Sequence, residues 1–289
     1  MGKDLYERSD IARELFKQAD GILGIPLSRI CFEGPEEELK QTKNTQPAIF
    51  LHSIVLSRLL GVENAAMTAG HSLGEYSALV FAGALTFEQG LKLVRLRGEL
   101  MQRAGEEQRG TMAAVVGLQA DVLENVCREA SSAGIVQCAN FNSPGQIVIS
   151  GSVAGVHKAM ELVKARGAKL VKELVVSGAF HSPLMQSARG GLHSALAQTP
   201  IQETRIPVYA NVTGKPVQKA EEIRTLLEDQ LTFPVRWEES MQNMLSDGAT
   251  TFAEVGPGKV LQGLVKRING NAGVVGYDKF EDVHKTTGA

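Results

Sequence analysis

Cysteine is scarce: Cys31, Cys127 and Cys138 are dispersed over 289 residues and odd in number. That excludes a disulfide scaffold and any cysteine-based metal site with recognisable spacing. Three reduced, structural thiols in a cytoplasmic protein are expected. Charge of one sign is also lacking, since the formal net charge is −2. Composition therefore gives no case for nucleic acid or a membrane surface as partner. No apolar run reaches the ~18 residues of a membrane-spanning helix. The opening Met1-Gly2-Lys3-Asp4 is no signal peptide, and Tyr6 stands where a myristoylation site wants a small hydroxyl residue. Internal repeats and low-complexity segments are absent too. What remains is an ordinary globular composition, 43 % apolar and 21 % charged, long enough to bury a sizeable core.

Within it, Gly70-His71-Ser72-Leu73-Gly74 is the most informative stretch. An apolar run, 65–69, leads in and a helix-like run, 75–82, leads out. Strand, sharp turn and helix with a serine at the apex make a nucleophile elbow. Glycines two positions either side are expected where side chains would collide with strand or helix. The turn would also aim helix N-terminal amides at an oxyanion formed beside the serine. A bare glycine-rich turn with Ser72 as a helix cap shares this pattern.

The rest of the chain reads as alternating elements. Helices are expected over 3–19 and 46–60, and Thr86-Phe87-Glu88-Gln89 is a capping box for a helix to about Ala104. The polar stretch 105–110 is a candidate boundary. Beyond it come strand 112–117, helix 120–133, strands 136–140 and 146–151, helix 153–166 and strand 169–175. That β-α-β-β-α-β order predicts a ferredoxin-like block over 108–177, inserted into a larger α/β domain formed by 1–107 and 178–289. Helix 183–198, strand 207–212, helices 220–230 and 238–247, strand 251–255, helix 260–268 and strand 274–277 follow. Their alternation argues for a mainly parallel sheet.

A serine hydroxyl needs a base to take its proton. Of the six histidines, His52 lies in an apolar helix, His157 and His193 have polar neighbours, His284 is in the tail, and His71 is too close to turn its ring onto Ser72. His181 differs: it follows the small-residue turn Ser177-Gly178-Ala179-Phe180 and precedes the helix start Ser182-Pro183. Arg97 stacks beside an apolar stripe with Leu93 and Leu100. A guanidinium there needs a partner, and a substrate carboxylate would fit its fork. Gly256-Pro257-Gly258-Lys259 lacks the spacing of a nucleotide fingerprint and reads as a tight structural turn.

Six motifs stand in order: Thr45-Gln46-Pro47-Ala48, Gly70 to Leu79, Arg97-Gly98, Asn140 to Gln146, Gly178-Ala179-Phe180-His181-Ser182, and Glu254 to Lys259. Together they resemble the malonyl-CoA:acyl-carrier-protein transacylase family over nearly the whole chain. The resemblance implies an α/β-hydrolase-like core with the ferredoxin-like insertion, and no cofactor. It implies Ser72 as nucleophile, His181 as general base and then acid, and Arg97 as binder of the malonyl carboxylate. The Leu73 N–H would donate to the oxyanion, Gln46 would line the acyl pocket, and the Gln230 carbonyl would orient the histidine. Ala179-Phe180-His181 resembles the malonyl-selective signature, with the Phe180 ring filling the space an α-methyl needs. Malonyl-CoA and acyl carrier protein are the implied partners of a monomer, in fatty acid or polyketide synthesis alike. Family members begin with a strand ending in Gly-Gln-Gly-Ser-Gln, whose glutamine supplies a second oxyanion N–H. This sequence opens just past the corresponding stretch, and an upstream start is the expectation.

Two other classes share parts of the pattern. An α/β-hydrolase thioesterase would share the elbow but wants an acid after a strand between Ser72 and His181, and none is convincing. A shortened, non-catalytic paralogue would bind carrier protein without taking label on Ser72.

Overall fold

The structure, a computed structural model, describes residues 1–61 and 65–287, with side chains to Val283. The chain opens with helices α1 (Lys3–Arg8), α2 (Asp10–Leu23), α3 (Leu27–Glu33), α4 (Glu36–Leu39) and α5 (Thr42–Leu60). Strand β1 (Thr68–Ala69) turns into α6 (Gly74–Ala82), and α7 (Phe87–Glu107) follows. Then come β2 (Gly110–Val116), α8 (Ala120–Ala130), β3 (Val136–Ser143), β4 (Gln146–Ser152), α9 (Val153–Ala165) and β5 (Leu170–Glu173). A 3₁₀ turn, Pro183–Met185, runs into α10 (Gln186–Gln198). Strands β6 (Val208–Tyr209) and β7 (Pro216–Val217) precede α11 (Ala220–Asp229) and α12 (Trp237–Ser246). Strand β8 (Thr251–Val255), α13 (Val260–Ile268), β9 (Gly273–Tyr277) and α14 (Phe280–Thr287) complete the order. His284 falls among the residues whose side chains lie outside the description.

Several expectations need correction. The single helix over 3–19 is two helices, because Ser9 adopts extended backbone and its side chain accepts from the Ala12 N–H, capping α2. Helices α3, α4 and α14 are additional to the elements expected from the sequence. The candidate boundary 105–110 begins inside a helix, since α7 runs on to Glu107 before β2 starts at Gly110; Gly105 is buried in α7, and a Cβ there would lie 2.1 Å from the Ser177 carbonyl oxygen. Close passage of the His181 loop requires that glycine. The mainly parallel sheet is also not a single sheet. Parallel pairs β1–β6 and β8–β9 lie in separate small sheets, and the largest sheet is antiparallel. Strands β1 and β6 stop after two rungs because the Asn211 side chain takes the next ones. Its Nδ2 donates to the Gly70 carbonyl at 2.7 Å, and its Oδ1 accepts from the Ser72 N–H at 2.6 Å.

The four-stranded sheet has order β3–β4–β2–β5, all pairs antiparallel. Alternation sorts its side chains. Ala113, Val115, Ile147 and Ile149 face α8 and α9, where Leu123, Val126, Val156 and Val163 close an apolar core. Met112, Ala139 and Val148 face the other way, against Leu174, Val176 and Phe180 on the approach to His181. The free edge of β3 docks on the segment after Gln230: Phe141 N–H donates to the Val235 carbonyl and Val235 N–H to the Ala139 carbonyl. A larger core joins α2, α5, α6, α7, α10 and α11 around Phe16, Phe50, Leu79, Leu91, Leu192 and Leu227. Among the described residues, no helix is long and apolar enough to cross a membrane.

Candidate active site

Helix α5 and helix α7 bring the first pair of polar residues together. Gly98 lets the start of α5 lie against α7, since a Cβ at that position would be 2.7 Å from the Thr42 carbonyl oxygen. Pro47 removes the N–H that would bond to the Lys43 carbonyl, and Arg95 Nη1 from α7 donates to that oxygen instead at 3.0 Å. Gln46 and Arg97 thereby meet: Arg97 Nη1 donates to Gln46 Oε1 at 2.7 Å. Gln46 Nε2 points the other way, 3.4 Å from Met101 Sδ.

The elbow supplies Ser72. Its φ is +50°, and His181 has φ +57°; among the described residues these are the non-glycine residues of positive φ. Such backbone costs on the order of 1–3 kcal/mol per residue and persists where surrounding contacts impose it. Gly70 has to be glycine, because a Cβ would sit 1.9 Å from the backbone of Gly74. Gly74 itself has open space around that position, so the expected collision applies to one glycine of the pair.

Ser72 Oγ lies 2.8 Å from His181 Nε2 and accepts from Arg97 Nη2 at 3.0 Å. His181 Nδ1 is 2.8 Å from the Gln230 carbonyl oxygen. A carbonyl only accepts, so Nδ1 carries the proton and the Nε2 lone pair faces Ser72. Gln230 also takes Arg97 Nη2 on its Oε1 at 2.8 Å. The Leu73 N–H finds no backbone acceptor among the described residues. His71 turns away from Ser72, with Nε2 2.9 Å from Asn142 Oδ1 and its ring against Trp237. His52 pairs with Asp278, His157 with Glu173 and His193 with Glu228, all away from the elbow. The turn at Gly256 ties β8 to α5, where a Cβ would meet Ser53 Oγ at 2.8 Å.

Residues 1–275 match the family model described as an acyl transferase domain. The malonyl CoA-acyl carrier protein transacylase of Bacillus subtilis is 46 % identical, over 93 % of this chain and 86 % of that protein. That of Haemophilus influenzae is 45 % identical over 93 % and 87 %. The chain belongs to the malonyl-CoA:acyl-carrier-protein transacylase family. Solved transacylases share its α/β fold. The Coxiella burnetii structure aligns at TM-score 0.95 and 38 % identity, covering 99 % of this chain and 92 % of that one. A malonyl-transacylase in complex with its type II polyketide synthase acyl carrier protein aligns at TM-score 0.95 and 39 % identity, over 99 % and 93 %.

The site of this transacylase family member is buried enough to shift its titrations. Burial foremost, then the Arg97 charge, pushes His181 down to about 3, against the pull of the Gln230 carbonyl. The imidazole is therefore neutral and free to accept a proton. Burial lowers Arg97 as well and pushes Glu75 up to about 7, opposed by hydrogen bonds from Gln230 and Asn211 and by the Arg97 charge.

Glu75, Asn211 and Gln137 were missed at the level of sequence. Glu75 belongs to a helix start, where an acid is unremarked. Asn211 follows a strand with no spacing to flag it. Gln137 alternates on an edge strand, yet its Nε2 donates to the His181 carbonyl at 2.8 Å and the Thr232 carbonyl at 3.0 Å.

Proposed function

We propose that the chain moves a malonyl group from malonyl-CoA to the phosphopantetheine thiol of an acyl carrier protein, through an ester on Ser72. One observation carries the reading: Ser72 Oγ stands between a proton acceptor, His181 Nε2, and a cation, Arg97. Ser72 Oγ attacks the thioester carbonyl as His181 takes its proton. The Leu73 N–H, at the helix start, donates to the oxyanion. Collapse releases the coenzyme A sulfur, which receives the proton from His181. A carrier-protein thiol then repeats the steps in reverse. Arg97 grips the malonyl carboxylate with a fork now shared among Gln46, Gln230 and Ser72. Gln46 lines the acyl pocket, and Gln230 orients the base through its carbonyl. The half-buried Phe180 ring beside His181 favours malonyl over methylmalonyl groups.

The neutral carbonyl on His181 Nδ1 argues against a hydrolase triad, where a carboxylate takes that place. We read the architecture as an α/β-hydrolase-like core, 1–107 and 178–289, interrupted by a ferredoxin-like unit over 108–177. The strand order β3–β4–β2–β5, with α8 and α9 on one face, supports that division. The test is radiolabelled malonyl-CoA. The chain should take up one malonyl group and pass it to holo carrier protein with little free malonate. Ser72→Ala should take up none, and stoichiometric labelling of that variant would overturn the assignment.

A further inference from the structure

A buried carboxylate without partners is costly, and Glu75 is only 2 % exposed. Its place at the start of α6 suits an anion, which a helix-end role alone would explain. Its contacts go further. Glu75 Oε2 accepts from Gln230 Nε2 at 2.7 Å and from the Asn211 backbone N–H at 3.2 Å. Each partner then reaches reacting groups. Gln230 holds His181 Nδ1 with its carbonyl, Arg97 Nη2 with its Oε1, and the Ser72 carbonyl with its Nε2 at 2.9 Å. Asn211 holds the Ser72 N–H and the Gly70 carbonyl through its side-chain amide.

A glutamine amide has nearly the same shape either way round, but one end donates and the other accepts. Reversed, the Gln230 amide would present N–H groups to the Arg97 guanidinium. Glu75 Oε2 meets two N–H donors, so together with the Ser72 carbonyl it draws the Nε2 end of Gln230 and leaves Oε1 to Arg97. We propose that Glu75 is a positioning residue that, through Gln230 and Asn211, keeps His181 and Arg97 in register with Ser72. This rests on the acyl-transfer reading above. The malonyl carboxylate and the proton of Ser72 are then both handled by groups referenced to one side chain. Glu75→Gln keeps the shape but offers a donor as well as an acceptor, which leaves the Ser72 carbonyl as the remaining acceptor-only partner of Gln230 Nε2 and weakens the constraint on that amide. Glu75→Asp remains acceptor-only with a shorter reach.

The experiment measures transfer from malonyl-CoA and from acetyl-CoA to holo carrier protein, with rates expressed per Ser72 that takes up label. That normalisation removes any fraction that fails to fold. For Glu75→Gln the malonyl rate should fall on the order of 10–100-fold, as small misplacements of reacting groups do. Acetyl transfer, which needs no carboxylate grip, should fall less, so the malonyl-over-acetyl preference shrinks. Glu75→Asp should lose rate but keep that preference. Three results would overturn the proposal: a Gln variant within twofold of the parent in rate and preference, a Gln variant that loses both substrates equally, or an Asp variant that loses the preference. If the Gln variant takes up no label, the Asp variant alone decides by the same criterion. Ser72→Ala runs in parallel: its labelling would sink the acyl-transfer reading itself, whereas a normal Glu75→Gln beside an inert Ser72→Ala sinks only the positioning role.

Discussion

Around Ile149, the space between the four-stranded sheet and helices α8 and α9 is filled by valine, leucine, isoleucine, alanine and the two thiols Cys127 and Cys138. Around Ser72, an equally buried space holds Arg97, Glu75, His181, Gln230 and Asn211. The first interior is what the hydrophobic effect produces by itself, and any well-packed set of similar volume would serve. The second opposes that effect at each position, since every one of those groups loses water on burial. What offsets the loss is a set of mutual hydrogen bonds, and those bonds converge on one serine oxygen and one histidine ring. Fold and function can thus be separated by asking which buried residues the fold alone would not select.

Arg97 is the sharpest place to break that contrast. Arg97→Ala should cost malonyl transfer about 2–5 kcal/mol, as removal of one member of a buried charge pair does. Acetyl transfer should suffer far less. Arg97→Lys should recover little, because a point charge cannot form two parallel bonds. Rates with both thioesters check this, and equal losses would make Arg97 a structural residue. The other interior should respond in the opposite manner. Ile149 is fully buried, and Ile149→Val should lower stability by about 0.5–1.5 kcal/mol by creating a small cavity. Denaturant unfolding measures that loss, while the transfer rate per labelled Ser72 should stay unchanged. A change in malonyl-over-acetyl preference in this variant would erase the distinction between the two regions.

The same contrast explains what could be read without coordinates. The β-α-β-β-α-β order over the Ile149 region follows from local alternation and turn residues, and those elements form within a few residues of the expected bounds. The capping box at Thr86 and Gln89 is likewise local. Ser72 and His181 stand out because turn chemistry marks them. Glu75, Asn211 and Gln137 do not, because their meaning lies in partners 44 to 155 residues away. The packing role of Gly105 is equally nonlocal: a polar, glycine-bounded stretch marks a boundary, whereas this glycine sits inside α7 and answers to the distant Ser177 backbone. Splitting of the first helix at Ser9 was legible in principle, as serine is a good N-cap, but the apolar periodicity runs on across it.

The smallest expected effect concerns acidity. An imidazole of ordinary pKa near 6.5 would be about 3 % neutral at pH 5, and a base working through it would slow roughly 25-fold from pH 7. His181 lies far lower, at about 3, because it is buried and faces the Arg97 charge. A base works in its neutral form, and a depressed pKa keeps that form dominant as pH falls. In Glu75→Gln, where position 75 does not titrate, malonylation of Ser72 at subsaturating malonyl-CoA should therefore decline less than about threefold between pH 7 and pH 5. In the parent chain Glu75, raised to about 7 by burial, gains a proton in the same window, so any further decline there reports Glu75 rather than His181. Removing the Arg97 charge has a definite sign. A positive neighbour disfavours imidazolium, so Arg97→Ala should move the acid limb upward, toward neutrality, with burial retaining part of the depression. An acid limb near pH 6.5 in both the parent chain and Glu75→Gln would mean that the ring of His181 is hydrated during turnover, and the polar interior around Ser72 would be no more a buried site than the surface.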